Sequence, residues 1–172
     1  MNLQASDFEL FGLPARFAQD RASIDARWKE LQREAHPDKF AAQGAAAQRV
    51  AMQWSVRINE AYQRLKNPLA RASYLCELRG VPINAENNTA MPAEFLVEQM
   101  EWREALDEAG AADQLEALET QLKRASSETL AQIEKLLDHD NDAAAAAQQV
   151  RALMFIERFG RDVDARLDQL GQ

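Results

Sequence analysis

Apolar residues along this chain recur three and four positions apart rather than two, the period of helices with one buried face. From Asp20 to Ala35 the stripe is Ile24, Trp28, Leu31 and Ala35, with charged residues on the remaining faces. After an Ala/Gln/Gly-rich loop, Val50, Trp54, Ile58, Ala61, Tyr62 and Leu65 mark one face of a second helix, which Asn67-Pro68 punctuates. A short helical stretch, Leu69 to Leu78, comes next. Three longer patterns follow, carried by Phe95, Trp102 and Leu106, then by Leu115, Leu118, Leu122, Ile133 and Leu136, then by Leu153, Ile156, Phe159, Val163 and Leu167. Near the start, Ser6-Asp7-Phe8-Glu9 reads as a capping box, and Gly12 and Pro14 stop the short helix it opens. No alternating segment is convincing as a strand, so the pattern predicts an all-α chain: a helical hairpin with short flanking helices, then a three-helix bundle.

The strongest punctuation is Arg79-Gly80-Val81-Pro82 with Asn84 to Thr89, rich in turn formers and poor in apolar residues. It predicts a linker over 79–90 between modules at 1–78 and 91–172. Ala143 to Ala147 is low in complexity but lies in a helix-favouring segment, so a tight helix contact is expected there.

Charge supports two modules. Residues 1–78 carry 11 Lys/Arg against 9 Asp/Glu, and the remainder 9 against 19, so the first is weakly basic and the second strongly acidic. Such a split suggests two different partners and supplies no basic stripe for nucleic acid. A single cysteine excludes an internal disulfide and suits a reducing compartment. No apolar run approaches the roughly 18 to 20 residues of a membrane span, and no charged-then-apolar leader opens the chain, so a soluble cytoplasmic protein without a membrane partner is expected.

Little in the chain suggests catalysis or a cofactor. His36 has no second His, Cys or Ser in nucleophile or metal spacing, so hydrolase and metalloenzyme readings find no support. Asp138-His139-Asp140-Asn141-Asp142 lacks the Gly and closing Glu of an EF-hand and reads as an interhelix loop. Cys76 reads as a buried small hydrophobe, and one thiol cannot hold a cluster.

Two features stand out instead. His36-Pro37-Asp38 ends the first long helix, since proline disfavours a helical conformation in the residue before it. Lys29 and Arg33 lie about 40° apart on that helix's solvent side, a positive face beside the loop. Read alone, these residues are equally a helix stop with a capping carboxylate beside solvated cations. The second feature lies on the helix that starts near Phe95. With Phe95 at 0°, Trp102, Leu106 and Ala109 fall within about 40° of it and form a core seam. Leu96, Val97 and Met100 fall at roughly 100°, 200° and 140°, among Glu104, Glu108 and Glu101 at roughly 180°, 220° and 240°. That is an apolar patch rimmed by carboxylates, either a protein-binding surface or a face covered by neighbouring helices. On the last helix Phe155 sits about 100° off the seam of Ile156, Val163 and Leu167, which puts it at the surface too.

The short helix Phe8-Glu9-Leu10-Phe11-Gly12-Leu13, the loop His36-Pro37-Asp38 and the segment Ile58-Asn59-Glu60-Ala61-Tyr62 together resemble the J-domain family over about residues 1–76. Residues 93–108 and Val150-Arg151-Ala152-Leu153-Met154-Phe155 resemble the C-terminal domain of the HscB family, so the resemblance covers essentially the whole chain. It implies a co-chaperone, not an enzyme, that stimulates an HscA-type Hsp70-class ATPase through His36, Pro37, Asp38, Lys29 and Arg33. It also implies that Leu96, Val97, Met100, Glu101, Glu104, Glu108 and Phe155 bind the iron–sulfur scaffold IscU. Val97 is smaller than the methionine expected from the family. No cluster or metal of the chain's own is implied, and the Cys-rich module of some family members is absent.

Overall fold

The computed structural model describes residues 2–171, and every regular element among them is helical. In chain order these are α1 (Asp7–Phe11), α2 (Arg21–Ala35), a 3₁₀ turn (Pro37–Gln43), α3 (Ala45–Lys66), α4 (Pro68–Leu78), α5 (Ala93–Glu108), α6 (Ala112–Glu134) extended by a π-helical turn (Lys135–His139), and α7 (Ala143–Leu170). Contacts divide the chain into two compact units, the first ending at Leu75 and the second beginning at Cys76.

In the first unit α2 and α3 pack as a hairpin, with Ile24, Leu31 and Ala35 set against Ala51, Ile58, Ala61 and Leu65 in the buried layer. Ser6 caps α1 by accepting the Glu9 N–H at 3.1 Å, and Gly12 closes it at φ 65°, a left-handed conformation open to glycine at little cost. The α1 helix brings Phe8, Leu10 and Phe11 into the same core and carries a fully buried carboxylate, Asp7. Arg64 donates to Asp7 from Nε at 2.6 Å and Nη2 at 2.9 Å, a bidentate pair, while Arg57 Nη1 lies 2.8 Å from Oδ1 as an ion pair out of line for a hydrogen bond. The Asp7 carboxylate holds the Arg64 guanidinium still more firmly protonated than usual. Arg71, also buried, donates to the carbonyls of Phe17 at 2.7 Å and Leu65 at 2.5 Å, tying the α1–α2 loop to the end of α3.

One expectation for this unit fails. Val50 is exposed, because the buried arc of α3 centres on Ala51, Ile58, Ala61 and Leu65 and leaves the first apolar position of the stripe on its rim.

The second unit is a three-helix arrangement around Phe95 and Trp102 of α5, Leu115, Leu118 and Leu122 of α6, and Ala152, Phe155, Ile156, Phe159 and Val163 of α7. Its rings interlock: Phe95 meets Trp102 and Phe155 edge-on, while Phe159 stacks on Phe155 and Trp102. At the start of α6 the side-chain Oε1 of Gln114 accepts the N–H groups of Gly110 and Ala111 at 2.8 Å and 3.2 Å. The π turn at the far end shifts the register, so Leu137 is buried and Leu136 only half-buried. Asp142 caps α7 through the Ala145 N–H, and Ala146 and Ala147 are buried, the close contact that the alanine run suggests. The non-helical segment between α4 and α5 is fixed: buried Arg151 donates to the carbonyls of Ile83 and Ala90.

Candidate functional site

The loop after α2 is built by its own sequence. His36 leaves the helix in an extended conformation (φ −62°, ψ 128°), Pro37 opens the 3₁₀ turn, and Lys39 N–H returns to the His36 carbonyl at 3.0 Å. The His36 ring caps that turn: its Nδ1 accepts the Asp38 N–H at 3.2 Å, which in the neutral ring places the proton on Nε2 as an outward-available donor. Capping is thus done by the imidazole and not by the carboxylate. The Asp38 side chain is 92% exposed, and its one ion-pair approach among the described residues is to His36 Nδ1, at 3.6 Å. The Asp38 carboxylate thus stands in solvent beside the proline-fixed turn.

Along α2 the cations differ in their engagement. Arg21 and Arg27 pair with Asp25 and Glu30 at 2.9 Å and 3.1 Å. Arg21 and Tyr62 hydrogen-bond Asp25 and hold its carboxyl below the usual carboxylate range. Lys29 and Arg33 are exposed and form no ion pair among the described residues. They form the positive face adjoining the loop that the helical spacing predicts. The adjoining side of α2 is fixed to α3: Trp28 stacks on Tyr62 with centroids 4.6 Å apart and donates to Asn59, and Gln32 bridges Asn59 and Ser55. This seam orients the loop without burying it.

In the second unit α5 divides as its sequence suggests. Phe95 and Trp102 are buried, whereas Leu96, Val97 and Met100 are 51%, 56% and 71% exposed. Glu101, Glu104 and Glu108 are exposed beside them. The result is an apolar strip with an acidic rim and no intramolecular cover within its unit.

Phe155 does not join that surface. It is 4% exposed, in contact with Phe95 and Phe159, because α7 packs on both α5 and α6 and its buried arc is wider than the single seam through Ile156 and Val163. Helical spacing along one helix cannot show a second neighbour. Phe155 still borders a surface pocket of about 280 Å³ with Arg103, Leu106, Asp107, Arg158, Phe159 and Asp162, a site that the sequence alone does not single out.

Cys76 is buried, and burial pushes its thiol up to about 11. Among the described residues no group of three or more His, Cys, Asp or Glu is placed to share a metal ion, and no helix is long and apolar enough to cross a membrane.

Comparison with known proteins completes the picture. Residues 91–164 match the family model described as the HSCB C-terminal oligomerisation domain. The chain is 50% identical to the co-chaperone protein HscB homolog of Burkholderia multivorans, over 99% of this chain and 98% of that one. Among solved structures it is similar to chaperone HscB from Vibrio cholerae, with a TM-score of 0.82 and 38% identity over 96% of this chain and 99% of that one. The human co-chaperone HscB superposes with a TM-score of 0.87 at 25% identity, covering 96% of this chain and 84% of that one. Helical units with these surfaces, matched along their whole length by co-chaperones, define the class. The chain belongs to the HscB family of co-chaperones, whose role is in iron–sulfur cluster biogenesis.

Proposed function

We propose that the chain is a bivalent co-chaperone. The first module, over 1–78, is a J-domain that stimulates an HscA-type Hsp70-class ATPase through His36, Pro37, Asp38, Lys29 and Arg33. The second, over 91–172 and joined by the 79–90 segment, binds an IscU-type scaffold through Leu96, Val97, Met100, Glu101, Glu104 and Glu108. Phe155 acts in that binding as a positioning residue beneath α5. The setting is the cytoplasm.

The observation that carries this reading is the pairing of an exposed Asp38 carboxylate with an exposed Leu96/Val97/Met100 strip on separate units. Apolar side chains left more than half exposed gain by covering, and a rim of carboxylates selects a basic partner surface and fixes its register. Unpaired Lys29 and Arg33 favour an acidic surface on the ATPase. Holding both partners raises the effective concentration of scaffold at the chaperone with no contact needed between them.

Steady-state ATP hydrolysis by the HscA-type chaperone tests the first half. The wild-type chain raises the rate, and His36→Gln leaves it at the unstimulated value at all concentrations. Equal stimulation by both would remove the loop from the mechanism. A co-chaperone for a different client is the second reading, and it is separated by mixing the chain with IscU: undetectable binding removes the scaffold assignment.

A further inference from the structure

Two arginines outside the scaffold-binding set meet at one ring. Arg103 of α5 and Arg158 of α7 hold their guanidinium carbons 5.3 Å and 5.8 Å from the Phe155 centroid, and both border the pocket of about 280 Å³. Asp107 and Asp162 also border it, each four residues after an arginine on the same helix. That spacing permits an ion pair, yet neither pair closes to 4.0 Å among the described residues. Both guanidiniums are instead associated with the ring, and both side chains are exposed.

The pocket adjoins the apolar strip. With Phe95 at 0°, Arg103 lies at roughly 80° and Asp107 at roughly 120°, interleaved with Leu96 and Met100 at roughly 100° and 140°. The face of α5 therefore runs from cation, through apolar side chains, to the carboxylates of Glu104, Glu108 and Glu101.

We propose that Arg103 and Arg158, backed by Phe155, form a socket that takes an acidic side chain of the same scaffold that covers Leu96 and Met100. The inference rests on the scaffold-binding reading above. A guanidinium lying against a ring keeps its N–H edge open for a carboxylate, and the ring restricts its motion before binding. Two like charges at one ring repel, and an incoming anion relieves that repulsion. Asp107 and Asp162 oppose the anion and moderate its affinity. A partner held by acid at one edge of the strip and by base at the other is fixed in rotation as well as position, which an apolar strip alone does not achieve.

Titration calorimetry of the full chain with an IscU-type scaffold at low and high salt tests this, with far-UV circular dichroism and melting recorded for each variant. Arg103→Gln/Arg158→Gln is expected to weaken binding about five- to tenfold at low salt and to reduce the salt dependence. Asp107→Asn/Asp162→Asn is expected to tighten binding about two- to threefold, the opposite of what a pocket for a basic group would give. Should the glutamine pair disturb the fold, Arg103→Lys/Arg158→Lys keeps charge without the fork and is expected to fall between it and wild type. The socket is overturned if Leu96→Ala/Met100→Ala abolishes binding while the arginine pair changes it less than twofold, or if the aspartate pair weakens it. Absence of binding by the wild-type chain overturns the scaffold reading and the socket together.

Discussion

Both units bury aliphatic and aromatic cores, but they differ in the ties they add to them. The first buries charge: Asp7 sits at 0% exposure between Arg57 and Arg64, and Arg71 reaches inward to two carbonyls. It leaves outside the His36 loop, Lys29 and Arg33, and an apolar group of Val50, Met52 and Val56. The second unit buries four interlocked rings, Phe95, Trp102, Phe155 and Phe159, and leaves leucine, valine and methionine in water. Directional ionic ties hold the short α1 against α3. A ring cluster lets α5 rest on one edge and turn its other edge outward.

The sharpest way to break the comparison is to remove a buried element from each unit. Trp102→Ala deletes a ring from the second core and is expected to cost about 3–5 kcal/mol there. Asp7→Ala leaves Arg57 without its anion and is expected to destabilise the first unit by about 3 kcal/mol. Denaturant titration of the Asp7 variant, followed by the fluorescence of Trp28 and Trp54 against that of Trp102, separates the units. Loss confined to the first two is the expected result. Phe155→Ala should fall near 3 kcal/mol in the second unit, and weakened scaffold binding should accompany it through lost support of α5. Surface changes give the contrast: Asp38→Asn and Leu96→Ala/Met100→Ala should each shift stability by under about 0.5 kcal/mol per site, and His36→Gln, which loses the imidazole cap, by about 1 kcal/mol, while each abolishes one activity.

The pH dependence is confined to the alkaline side. The folded-state Cys76 thiol titrates near 11, above the ordinary 9.0, so the folded state keeps a proton that the unfolded state gives up. Its contribution to stability is fully present below pH 9 and is lost as pH rises toward 11, and Cys76→Ala should flatten that decline in a series of melts. Alkylation by iodoacetamide at pH 8 should be slow in the native protein and prompt after denaturation.

Much of this organisation is legible in the amino-acid order. Helical spacing alone separates Phe95 and Trp102 from Leu96, Val97 and Met100, because α5 turns a single narrow arc toward the core of its unit. It fails for Phe155, which answers to two neighbours, and for Val50, at the edge of its arc. Asp7 reads in sequence as a first-turn acid of α1, and nothing local shows that Arg57 and Arg64, some fifty residues on, enclose it. Arg151 likewise looks like any surface arginine until the segment between α4 and α5 folds against α7. Polar groups buried by long-range contacts leave no periodic trace.

The central claim is that both surfaces must lie on one chain. It is tested most directly by ATP hydrolysis of the HscA-type chaperone at limiting IscU, with His36→Gln and Leu96→Ala/Met100→Ala variants added singly and as an equimolar mixture. We expect neither variant alone nor the mixture to reach the wild-type rate, since one holds the scaffold without the loop and the other the loop without the scaffold. Full restoration by the mixture would contradict the account, because delivery would then not require the two sites to be joined.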